Sequence, residues 1–182
     1  MKKIFLCILL IFFSINANAS QKENIVKKLE ETKNLVFNFE QNINGKIENG
    51  KCTIKYPKKI YCKYNTNNKK ILVSNGKSIV IKTNSSFYIY PIEKTALNLL
   101  LDKEYIINKI EKLSSRNIEN KFINFYFVQN ETKINLFFDK NTFNLIGWQT
   151  LDIYQNLSIT HLNSISKNVK LEKNLFKLPK QD

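Results

Sequence analysis

Turn-forming residues cut the chain into short apolar segments roughly every 8–12 positions, and this punctuation constrains the fold more than any other feature. From Leu35 the hydrophobic period is two: Leu35, Phe37, Phe39, Gln41 and Ile43 share one face of a strand, with Val36, Asn38, Glu40 and Asn42 on the other. Gly45 and Asn49-Gly50 then punctuate before a strand over 51–56. Tyr56-Pro57-Lys58-Lys59 reads as a turn leading into a strand over 60–64. A turn cluster at 65–68 precedes a strand over 69–74, Asn75-Gly76 is a strong hairpin signal, and 77–82 is its partner strand. One more strand, 85–90, is ended by Pro91. The pattern is that of an antiparallel meander.

Helical spacing occurs in two places. Ser20 can cap a first helix with Glu23 three residues later, and Ile25, Val26 and Leu29 form its narrow apolar stripe to about Thr32. In the middle of the chain, Thr95 opens a stretch with Ala96, Leu97, Leu99, Leu100 and Leu101, and a second helix over 104–113 carries Ile106, Ile107 and Ile110. Strands return at 122–129, 132–138, 143–153 and 157–166, with a turn at Asp139-Lys140-Asn141 and a last short piece at 175–178 before Pro179. About ten strands and two or three helices in one unbroken domain must curl into a barrel or sandwich. Segments apolar on both faces, such as Ile79-Val80-Ile81 and Phe125-Tyr126-Phe127-Val128, need a cover on one side and a core or cavity on the other. The leucine-rich helix is the natural cover.

The N-terminus points to export. Lys2 and Lys3 precede an apolar stretch from Ile4 to Phe13, and Ala17-Asn18-Ala19 offers a small-residue cleavage site, so residues 1–19 read as a cleavable signal peptide and 20–182 as a single mature domain. A retained anchor is disfavoured because ten apolar residues fall short of the roughly 20 needed to span a bilayer. Cys7 lies inside the apolar stretch and is not placed to become the lipidated first residue of a lipoprotein. The formal charge of +14 does not read as a nucleic-acid signal, because only Arg116 among 29 basic residues is arginine and the lysines are scattered. A solvated basic surface, attracted to anionic head groups or an acidic partner, is the simpler account.

Catalytic chemistry is not legible in these residues. His161 is the single histidine, without an acid or nucleophile at triad spacing; the acidic residues stand singly; and Gly45, Gly50, Gly76 and Gly147 are read at turns or strand edges, not in a phosphate-cradling loop. No metal or cofactor is expected, and the chain is not expected to be an enzyme. Cys52 and Cys62 flank the Pro57 turn and would lie opposite each other in a hairpin. In an oxidising compartment that favours a disulfide over the alternative of two buried free thiols. The thirteen Phe and eight Tyr supply either an ordinary core or the lining of an apolar cavity.

The order of elements resembles the LolA family of periplasmic carriers, which ferry lipoproteins from the inner to the outer membrane of Gram-negative bacteria. The resemblance rests on Phe37-Asn38-Phe39-Glu40-Gln41, on 50–64 with its Tyr-Pro-Lys-Lys turn, on Ile71-Leu72-Val73-Ser74-Asn75-Gly76-Lys77, on 91–101 and on 168–179. It implies an unclosed, strongly curved antiparallel half-barrel, mainly β, with two or three helices as a lid over a cavity for acyl chains. By the same resemblance the cavity residues are Phe37, Phe39, Ile54, Ile60, Leu97, Leu100 and Leu101, with Ile25 and Leu29 covering from the first helix.

Where the family commonly has an arginine before the turn proline, tethering the lid, this chain has Tyr56, whose hydroxyl offers one donor in place of five. The resemblance further implies a periplasmic monomer with three kinds of partner: acylated lipoproteins, an inner-membrane ATP-driven release complex and an outer-membrane lipoprotein receptor. The receptor of the same fold, LolB, is disfavoured by the missing lipidated cysteine. The alternative is a lipid-binding or protein-interaction module of the same fold. A longer C-terminal extension found in some relatives is not expected.

Overall fold

In a computed structural model, residues 20–151 and 155–181 are described. The expected signal peptide, residues 1–19 with Cys7, lies outside them, as do positions 152–154 at the end of the expected strand 143–153, and position 182. Ser20 caps α1 (Gln21–Glu30): its hydroxyl accepts from the Glu23 amide at 3.2 Å, and the Glu23 carboxylate accepts from the Ser20 amide at 2.8 Å. At the other end of α1 the Lys103 ammonium donates to the carbonyls of Glu30 and Thr32, at 2.9 and 3.1 Å, satisfying acceptors that the helix itself leaves open.

Six strands follow: β1 (Asn34–Ile43), β2 (Lys46–Lys55), β3 (Lys59–Tyr64), β4 (Ile71–Asn75), β5 (Ser78–Lys82) and β6 (Phe87–Pro91). A 3-10 turn over Ile92–Lys94 leads into the single turn α2 (Leu97–Leu100) and then α3 (Lys103–Lys112), where the Asp102 carboxylate accepts from the Tyr105 amide at 3.1 Å. The chain closes with β7 (Arg116–Ile118), β8 (Phe122–Gln129), β9 (Thr132–Asp139), β10 (Leu145–Leu151) and β11 (Leu157–Lys167).

All eleven strands form one antiparallel sheet in the order β6-β5-β4-β3-β2-β1-β11-β10-β9-β8-β7. Two meanders therefore meet where the first strand pairs with the last, and β6 and β7 end the sheet as separate edges, so it does not close into a barrel. Its curvature follows from the cavity it forms. Side chains of β5 and β10 line the same cavity although six ladder steps of ~4.8 Å separate them, ~29 Å in a flat sheet. The β1–β11 ladder slips register between Val36 and Asn38, where Ser164 takes a left-handed φ of 51°, and such a bulge adds bend and twist.

Four local readings differ in the structure. Asn49-Gly50 is not a break: β2 runs straight through it, because a Cβ at Gly50 would stand 2.2 Å from the Lys63 carbonyl oxygen and 2.9 Å from the Phe39 ring. The reversal lies instead at Asn44-Gly45, both left-handed (φ 49° and 87°), as a two-residue hairpin between β1 and β2 requires. Gly147 is likewise inside a strand, its absent Cβ leaving room for the Thr160 carbonyl. Positions 175–178 form no strand; the amides of Leu175 and Lys177 bond locally to the carbonyls of Glu172 and Asn174 in turns. Finally, β7 is an added strand of three residues.

Candidate functional site: an apolar cavity with a polar strip

Between the inner face of the sheet and α2 lies a cavity of about 260 Å³. Its apolar walls follow from the period-two pattern: Phe39 on β1, Ile60 on β3, Leu72 on β4, and Ile79 and Ile81 on β5 all point inward, and Leu97 and Leu100 close it from α2. The facing cysteines Cys52 and Cys62 are joined by a disulfide with Sγ–Sγ 1.96 Å and Cα–Cα 4.1 Å, and both lie in this wall.

Of the residues named from the resemblance, Phe39, Ile60, Leu97 and Leu100 line the cavity. Phe37, Ile54 and Leu101 are fully buried in the adjoining core and do not reach its surface. Ile25 is completely buried in the same core, and Leu29 sits by Tyr56 in a separate narrow crevice with Phe143 and Ile165. Phe37 turns instead to the Trp148 ring edge-on, with centroids 6.3 Å apart.

Tyr56 does not hold the lid by a hydrogen bond. Its hydroxyl is buried without a partner among the described residues, and burial pushes its phenol pKa up. The neighbouring turn makes the connection: the Lys58 amide donates to the Leu101 carbonyl at 2.8 Å, the Lys58 ammonium pairs with the Asp102 carboxylate at 3.3 Å, and the Ser74 hydroxyl donates to the Lys58 carbonyl at 2.9 Å. The tether thus joins the turn before β3 to the junction of α2 and α3.

One strip of the cavity wall is polar. Gln41 on β1 faces Thr160 on β11, Ser158 is the next inward residue along β11, and Thr150 on β10 lies opposite Ser158. Opposite Gln41 on β2, the buried Glu48 carboxylate pairs with Lys70 and, at 3.2 Å, with Lys46. Burial alone would raise the Glu48 carboxyl, but the two ammonium groups outweigh it and hold the pKa below its ordinary value. The Lys70 ammonium also lies 4.1 Å from the centre of the Tyr64 ring. Burial first, and then the Glu48 charge, push the Tyr64 phenol up.

Sequence reasoning missed this strip. Gln41 stands on the inward face of β1, but Ser158 and Thr160 come to it from a strand more than a hundred residues later. His161 is exposed on the opposite face of β11 from Thr160. Among the described residues no three His, Cys, Asp or Glu side chains gather as a metal site.

An unclosed antiparallel sheet, curled over an apolar cavity and crossed by helices, defines a half-barrel binding fold. The chain belongs to the LolA family: the model of the outer membrane lipoprotein carrier protein LolA matches residues 30–179. No curated protein matches it in sequence. Among solved structures it is similar to an uncharacterised conserved protein from Thermus thermophilus, at TM-score 0.52 and 8% identity over 89% of this chain and 94% of that one. It is also similar to MucB, at TM-score 0.50 and 10% identity over 90% of this chain and 63% of that one. A LolA superfamily protein from Nitrosomonas europaea aligns at TM-score 0.44 and 10% identity, over 88% and 99% of the two chains.

Proposed function

We propose that the mature domain, starting at Ser20, is a periplasmic lipoprotein carrier and not an enzyme. It covers the acyl chains of lipoproteins released from the inner membrane by an ATP-driven complex and passes them to an outer-membrane receptor, acting as a monomer. The observation that carries this reading is the apolar cavity closed by α2 within a LolA-family fold. Each methylene removed from water contributes about 0.8 kcal/mol, so an acylated protein stays in its membrane unless another apolar surface receives the chains.

The cavity volume of about 260 Å³ lies below the ~300–1,000 Å³ common for ligand sites. Several long chains therefore enter only when α2 swings away from the sheet, and the Lys58 links to Leu101 and Asp102 are what must give. With these two polar links and the apolar contacts of Leu97, Leu100 and Leu101 to break, the lid opens on the membrane and closes again after release.

The test uses inner-membrane vesicles containing the active release complex and a triacylated lipoprotein. Adding the mature domain should bring the lipoprotein into solution as a complex with it. If cargo stays on the vesicles while an authentic LolA-family carrier releases it from the same preparation, the carrier reading falls.

A further inference from the structure

The polar strip inside the cavity is more than the sheet needs. Inward-facing polar groups in an apolar wall are costly unless paired, yet Gln41, Ser158 and Thr160 stand together at the middle of the inner face, where β1 meets β11. The Gln41 amide nitrogen donates to Ser158 Oγ at 2.9 Å and to Thr160 Oγ1 at 3.3 Å, while its oxygen accepts from the Tyr64 hydroxyl at 3.5 Å. Each hydroxyl oxygen thereby accepts one hydrogen bond from the amide. Among the described residues neither hydroxyl donates to any group, although both line the cavity and are 3% exposed. Each keeps one O–H to spend, and Gln41 holds the two oxygens side by side.

Such a pair suits a neutral acceptor. Among the described residues the one charged side chain in the wall, Lys70, is already committed to Glu48 and to the Tyr64 ring, so none of them offers a free cation to a carboxylate. We infer that Ser158 and Thr160 donate to the carbonyl oxygen of an ester- or amide-linked acyl group, with the hydrocarbon lying against Phe39, Ile60, Ile79 and Leu97. This rests on the carrier reading and names what the cavity selects: an acyl carbonyl, in preference to bare hydrocarbon. Acylated proteins and membrane phospholipids both present that group.

The test is displacement of a fluorescent naphthylamine probe from the full mature domain by three ligands: a tripalmitoylated cysteinyl peptide, a diacyl phosphatidylglycerol and hexadecane. The Ser158→Ala, Thr160→Val double variant should bind the carbonyl-bearing ligands about tenfold more weakly, the worth of one to two net hydrogen bonds. Its affinity for hexadecane should not change. Exchanging the two residues, Ser158→Thr with Thr160→Ser, keeps both hydroxyls and should restore the preference. Thr160→Val alone keeps the shape and should cost about threefold, which supplies the test where the double variant does not fold.

Equal losses on hexadecane and on the acyl ligands, or no loss on either, overturn the inference while leaving the cavity as a carrier site. Failure of every ligand to displace the probe from the wild-type domain removes the carrier reading as well. A loss shared by lipopeptide and phospholipid, or confined to the lipopeptide, supports the inference and identifies the source of the carbonyl.

Discussion

The two flanks of the sheet are built from the same alternating strands but have opposite interiors. On the β8–β9 side, Ile123, Phe125, Ile134, Leu136 and Phe138 are completely buried in a continuous core with Ile106 and Ile110 of α3 and Ile25 of α1. Across β2–β5, inward residues of the same kind face a cavity instead. Their cover is the difference. A ten-residue helix braced by another fills one flank, whereas the single turn α2 brings only Leu97 and Leu100 to the other. Strand patterning makes an apolar face; the length of the element laid on it decides whether that face becomes core or container.

Truncation breaks this comparison most sharply. Phe125→Ala, at a fully buried ring packed edge-on to Phe138, should cost about 3–5 kcal/mol in urea unfolding, whereas Leu100→Ala beside an existing void should cost about 2 kcal/mol or less. Equal costs would mean that the second flank is as well packed as the first. The cavity flank is also stapled covalently. Replacing Cys52 and Cys62 by serine should lower stability by about 2–4 kcal/mol, read in the same assay, if the disulfide supports a wall that packing does not.

Smaller effects concern polar groups at the margins. Tyr56→Phe removes a buried hydroxyl without a partner and should raise stability by about 1 kcal/mol, seen as a melting temperature higher by ~2–4 °C. A drop would assign the hydroxyl a supporting role that the structure does not show. Glu48, held below its ordinary pKa, contributes fully above the unfolded value of ~4.3, and its contribution is lost as the pH falls through the lower folded value. Glu48→Gln should flatten that acid limb of the stability profile by less than about 1 kcal/mol, measured by denaturant titration across pH.

Most of the scaffold was legible because its signals are local. Ser20 with Glu23, the alternation from Leu35 to Ile43 and the Asn75-Gly76 turn each depend on residues within one element. What escaped depends on partners far along the chain. Phe37 and Phe39 share a face and read alike, yet only Phe39 borders the cavity. Gly50 resembled a turn residue until the strand beside it showed why no side chain fits. Arg116–Ile118, three residues with one apolar side chain, has no periodicity to find. Ser158 and Thr160 become a pair around Gln41 only through the β1–β11 register, which no local pattern specifies.

That same pairing governs the order in which the molecule can assemble. Synthesis from the N-terminus delivers β1 early, but its neighbour β11 arrives last, so one side of β1 stays bare until the end of the chain is made. Contacts of such long sequence separation slow folding and leave a sticky edge exposed in the meantime. The container is complete only once this final strand pairs with β1 and joins the two meanders. A chain cut off before Leu157 still contains the segments of α1–α3 and β1–β10 but lacks one wall of the cavity.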